Sequence, residues 1–86
     1  MSKIQTIEQV NQNIDFLQSV FGRSGSKVVL FNDMPNYCIY AVNTYFSVGK
    51  TTMKKLREQK GKIIFIDFDN EGLRLLVQIP NKEVEN

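Results

Sequence analysis

The chain contains no histidine and one cysteine, and it has nowhere the run of about 20 apolar residues that a membrane-spanning helix requires. Each shortage removes a class of function. Without histidine there is no His-based catalytic triad, no imidazole general acid–base chemistry and no ordinary His-containing zinc site. One cysteine cannot form an intramolecular disulfide, which suits a reducing compartment. Cys38 also lacks the basic partner that usually activates a thiol, and within "YCIYAV" it is expected to be a small buried hydrophobe. The opening "MSKIQTIEQVNQ" has no apolar segment of the signal-peptide kind. The expectation from these absences is a cytoplasmic protein that is not an enzyme, needs no cofactor or metal, and does not engage a membrane.

What is present is ordinary for a small globular domain: 86 residues, 42% apolar and 23% charged. In "TIEQVNQNIDFLQSVFG", Ile7, Val10, Ile14, Leu17 and Phe21 recur at spacings of three and four and define one helical face. Phe16 and Val20 widen it, Glu8, Asn11, Asp15 and Ser19 oppose it, Thr6 and Gln9 have capping-box spacing, and Gly22 supplies a stop. "KVVLF" and "YCIYAV" then read as strands around the turn-rich "NDMPN". "NTYFSVG" is either a strand extension or an approach to a helix. The spacing predicts that helix from Lys50 to Lys60, with Met53 and Leu56 facing inward and Gly61 ending it. "KIIFIDF" and "LRLLVQI" form a second strand pair around "DNEG", and Pro80 stops the last strand.

The order is α-β-β-α-β-β, an α+β domain. Each half is a helix, a glycine, a lysine-led apolar strand and a returning strand. Two such αββ units can merge their hairpins into one four-stranded antiparallel sheet with both helices on one face. Residues 1–80 are expected to form this single domain, with 81–86 a flexible tail. Strict alternation along "KIIFIDF" would place Ile63 and Phe65 on the face away from the helices, beside Leu76 of the last strand. Ile63, Phe65 and Leu76 are therefore the candidate partner or homodimer face.

Four stretches resemble chemical motifs, and each fails on context. Gly49-Lys50-Thr51-Thr52 looks like the end of a phosphate-binding loop, but that loop needs a glycine at position 44, which is Thr44, and a larger parallel sheet. "GRSGSK" follows a helix and enters a strand, the reverse of a phosphate-binding order. "DFDNEG" imitates the first positions of a calcium loop, yet its twelfth position is Gln78 and its surroundings read as strands. "KGKIIFIDF" matches an RNA-recognition strand only in Lys60 and Gly61.

Charge distribution is more informative than the net +2. Lys50, Lys54, Lys55, Arg57, Lys60 and Lys62 are six of the eleven basic residues, with Glu58 the only acid among them, so this segment carries +5. At 100° per residue, Lys50, Lys54 and Arg57 occupy a sector of about 60°, with Lys55 on the far flank. A charged helix face often serves only solubility. The functional expectation is a small nucleic-acid-binding protein using this basic helix, with Tyr45 and Phe46 just upstream as residues that could stack on bases. The alternative is a protein-interaction module, an inhibitor or regulator, that works through the apolar sheet face, a sheet edge, or the basic ridge against an acidic protein surface.

Overall fold

Apolar spacing sets the first helix, and hydrophobic burial determines where it lies. A computed structural model describes residues 7–22, 25–45, 49–70 and 72–81. Helix α1 spans Ile7–Phe21, and it buries Leu17 and Phe21 while Val10, Ile14, Phe16 and Val20 pack at the margin of the same core. Ile7 is 80% exposed, so the apolar stripe begins to work one turn later than its sequence pattern indicates. Thr6 and the proposed capping box lie outside the described residues. At the other end Gly22 adopts φ +100, a left-handed conformation in which a side chain would be strained. Buried Thr44 donates from its hydroxyl to the Phe21 carbonyl at 3.1 Å, satisfying one of the helix's terminal acceptors.

Strands β1 (Ser26–Asp33) and β2 (Tyr37–Thr44) form a hairpin, helix α2 (Lys50–Glu58) follows, and β3 (Lys62–Asp69) and β4 (Gly72–Pro80) form a second hairpin. The two hairpins join through β2 and β4 into an antiparallel sheet of order β1-β2-β4-β3. Its likeness between halves is geometric as well as sequential. Val28 pairs with Val42, and 35 residues later Ile63 pairs with Val77. Ala41 pairs with Leu76, also 35 residues away, so an approximate two-fold axis passes through the middle of the sheet. The ambiguous segment after β2 contributes Asn43 and Thr44 to the strand, while Tyr45 is exposed and residues 46–48 lie outside the described residues.

Both helices pack on one sheet face. Leu17, Phe21 and Leu56 meet Val28, Cys38, Tyr40, Val42, Leu75, Val77 and Ile79 in a single core. Asn13 of α1 donates to the Tyr40 hydroxyl at 3.0 Å, providing a polar partner for a fully buried phenol. The helices stop short of the β3 edge: Ile66 and Phe68 point to this face but stay 55% and 76% exposed.

A register shift at Ile64 overturns the alternation expected along β3. Ile63 lies opposite Val77 and packs against the helix-side core, so it does not belong to the open face. After the extra residue, Phe65 pairs with Leu76 on the open face, and Ile66 and Phe68 fall back to the helix side opposite Leu75 and Leu73. β1 has its own shift between Leu30 and Asn32. Such bulges at edge strands interrupt the flat ladder that would otherwise invite uncontrolled pairing.

The domain's last described residue is a structural anchor. Asn81, expected in the tail, is 6% exposed. Its amide nitrogen donates to the carbonyls of Met34 and Pro35 at 3.0 and 3.2 Å, and its backbone N–H donates to the Asn36 carbonyl. Its side-chain oxygen lies 3.3 Å from the Cys38 sulfur. The β1–β2 turn is thereby tied to the end of β4, and the domain includes residue 81. The remainder of the proposed tail, 82–86, lies outside the described residues.

Candidate nucleic-acid interface

The basic segment is organised by the way α2 begins, docks and ends. Gly49 is its N-cap in extended conformation, with φ −107 and ψ −175, and its carbonyl accepts from the Met53 N–H at 3.1 Å. No side chain caps the first turn and no acid lies in it. Lys50 thus stands where the helix dipole is positive and repels a cation, an arrangement that an anion would relieve. Lys55 and Arg57 lie in the last turn, where the dipole favours them.

Docking sets the direction of the ridge. Leu56 is 1% exposed and fixes the inward side of the helix. Lys54 lies about 160° around the axis from Leu56, with Lys50 and Arg57 about 120° and 100° from it. These three therefore point away from the sheet, and all are exposed. Met53, expected to face inward, is 37% exposed and borders the ridge instead. The single leucine holds the inner side of this nine-residue helix, because the helices leave the β3 edge uncovered.

The helix ends one residue earlier than the glycine suggests. Lys60, not Gly61, takes the left-handed position, with φ +56. The Lys60 N–H donates to the Arg57 carbonyl at 2.9 Å and the Gly61 N–H to the Leu56 carbonyl at 2.7 Å, the paired bonds of a Schellman closure. Gly61 is needed for space, since a Cβ there would come within 3.1 Å of the Leu56 carbonyl oxygen.

The six basic candidates are consequently divided. Lys50, Lys54 and Arg57 form the ridge, Lys55 projects from the other flank, and Lys60 sits in the closing turn. Lys62 opens β3 opposite Gln78, on the sheet face away from the helices. Among the described residues, none of the six is engaged in an ion pair. Tyr45 is 77% exposed, so it is not core, while Phe46 lies outside the described residues.

Cys38 is a structural thiol. It is fully buried, and its sulfur lies 3.2 Å from an Asp33 carboxylate oxygen as well as against Asn81. Burial, then the hydrogen bond to Asp33 and its negative charge, push the thiol up to about 11, so it stays protonated at neutral pH. Tyr40 is raised to about 12, chiefly by burial.

Of "DFDNEG", Asp67 to Asp69 end β3 and Gly72 opens β4, with Asp69 paired to Gly72, while Glu71 lies outside the described residues. Gly72 has φ +123, and a Cβ on it would meet the Thr44 carbonyl oxygen at 2.7 Å, so this glycine serves close strand approach.

Sequence reasoning missed the anchoring Asn81; of the apolar row on the open face it named Phe65 and Leu76, wrongly added Ile63, and did not name Val29 or Ala41. Only the β3 bulge brings that row into line, and a bulge has no signature in "KIIFIDF". Comparison with family models, with curated proteins and with solved structures finds no match for the chain.

Proposed function

We propose that the protein binds nucleic acid, without catalysing a reaction on it, through the outward ridge of α2. One observation carries this reading: Lys50, Lys54 and Arg57 share the solvent side of a helix whose inner side is held by Leu56, with no acid in its first turn. The ridge spans about 10.5 Å at 1.5 Å per residue. One strand of a duplex presents about three phosphates over that length, at about 3.4 Å of axis each. Three cations therefore meet three phosphates at matching linear density. Such contacts read the backbone and not base edges, so the expected binding is largely independent of sequence.

The test is fluorescence anisotropy with a labelled duplex and a labelled single strand, across a salt series. Three phosphate contacts predict that log affinity falls by about 2.7 per tenfold rise in salt on duplex DNA. Lys54→Glu combined with Arg57→Glu removes two favourable charges and adds two repulsive ones, and binding should disappear while the circular dichroism spectrum is unchanged. Unaltered binding in a folded double variant refutes the reading. An acidic protein surface is the competing partner for the same ridge. It would be retained on the immobilised protein after nuclease treatment, whereas nucleic acid would be lost.

A further inference from the structure

The sheet face turned away from both helices carries an apolar row that crosses all four strands. Val29 of β1 pairs with Ala41 of β2, Ala41 with Leu76 of β4, and Leu76 with Phe65 of β3. Val29 and Phe65, at the two ends, are 47% and 51% exposed. The row contains no charge, and the approximate two-fold axis passes through its centre at Ala41 and Leu76. On one side it is bordered by Lys27, Asn43, Arg74 and Asp67, and on the other by Asn32, Ile39, Gln78 and Lys62.

We propose that this face is the dimer interface of the protein, occupied by the same face of a second copy in a sheet-on-sheet arrangement. Charge favours this pairing. Two copies can stack with aligned strands about an axis that runs either across or along them. Across the strands, Asp67 of one copy comes over Lys62 of the other. Along the strands, Asp67 comes over Lys27 and Arg74 over Asn43. Both arrangements place Asp67 over a lysine, and neither sets like charges face to face. The area of the face is also sufficient. Four strands at about 4.8 Å and eight residues at about 3.3 Å give a footprint of about 19 by 26 Å, close to 500 Å² per copy. The pair thus buries about 1,000 Å², the lower bound for a specific interface. The apolar row occupies the centre and the charges the rim, as in interfaces that hold. A single-stranded nucleic acid suits the face less well, because Val29, Ala41 and Leu76 offer no flat ring on which bases can stack.

The test is sedimentation equilibrium of nuclease-treated protein over a concentration series. The expected result is a reversible monomer–dimer equilibrium. Phe65→Lys should weaken it roughly 100-fold or more, since each dimer carries the substitution twice and each copy brings a charge into the apolar row. Phe65 is half exposed, so the monomer should keep its fold, and thermal melting monitored by circular dichroism verifies this. A second variant does not depend on that tolerance. Asp67→Lys alone should weaken self-association, and mixing it with Lys62→Asp or with Lys27→Asp should restore a heterodimer. Which lysine variant restores pairing identifies the axis. A monomer at every concentration overturns the proposal. So does a dimer that survives both Phe65→Lys and Asp67→Lys, because contact then lies elsewhere, for example on the β1 or β3 edge. Loss of association on nuclease treatment also overturns it, showing that nucleic acid had bridged the copies.

Discussion

Replacing Lys60 with glycine should stabilise the protein, although it removes a charge and a long side chain. Lys60 holds φ +56 because two backbone hydrogen bonds, to Arg57 and Leu56, close the helix around it. An L-residue in that conformation brings its Cβ against the neighbouring carbonyl, at about 1–2 kcal/mol. Glycine relieves this but loses more chain entropy on folding, about 0.5–1 kcal/mol. The net gain is about 0.5–1 kcal/mol, which for a domain of this size raises Tm by about 2–8 °C. Urea unfolding followed by far-ultraviolet circular dichroism measures it, with the m-value expected to stay constant. Lys60→Ala is the necessary control, since alanine keeps the Cβ and should gain nothing. Gly61→Ala should move the other way, with its Cβ forced to 3.1 Å from the Leu56 carbonyl oxygen. If Lys60→Gly is no more stable than Lys60→Ala, the left-handed closure is wrong. So then is the division that places Lys60 outside the ridge. The same variant separates stability from binding, because a lysine in the closing turn should contribute less to phosphate contact than Lys54 does.

Two further outcomes follow from the buried polar groups. Asn81→Ala leaves the Met34 and Pro35 carbonyls without their donor and should lower stability by about 2 kcal/mol in urea unfolding; Asn81→Asp should be at least as damaging at neutral pH, since a carboxylate would face those carbonyls. Stability should also fall above pH 9, because the unfolded chain releases the Cys38 proton near 9.0 while the folded chain holds it to about 11. The contribution is complete below pH 9 and lost as pH rises through 11, by about 2–3 kcal/mol for this thiol. Tyr40 extends the decline from 10.0 to about 12. Cys38→Ala should flatten the part between pH 9 and 11, and urea midpoints measured across that range decide it.

The element order was legible because each segment keeps one hydrophobic period long enough to be read. α1 repeats at three and four, and β4 alternates without interruption from Leu73 to Ile79, so burial at Leu75, Val77 and Ile79 follows directly. β3 failed at one residue. The extra position at Ile64 breaks the alternation between Ile63 and Phe65, so Ile63 faces the core while Phe65 keeps the open face beside Leu76. Nothing local forces that bulge; it comes from matching β3 to β4. The same limit applies at Lys60. A glycine at 61 implies a helix stop nearby, but which residue turns left-handed depends on the hydrogen bonds of the closed turn. Asn81 was out of reach for another reason: its partners, Met34 and Pro35, lie more than 40 residues away in the chain. Of the six basic candidates, helical spacing alone selected the three that the fold brings together.

The two proposed surfaces lie on opposite sides of the sheet, and this constrains how they can act together. The α2 ridge points away from the sheet because Leu56 points toward it. The apolar row points the other way. Stacking two copies through the open faces therefore directs the two ridges outward, in opposite directions, with two sheets about 10 Å apart between them. A single straight duplex cannot touch both ridges, so dimerisation adds no second foothold on the same molecule. It allows two separate nucleic-acid segments to be held by one dimer, and avidity appears only where both segments belong to one bent or looped strand. Mutations on the two surfaces should consequently be additive in their separate assays: Phe65→Lys alters assembly and leaves the intrinsic affinity of each ridge as it was, and Lys54→Glu does the reverse.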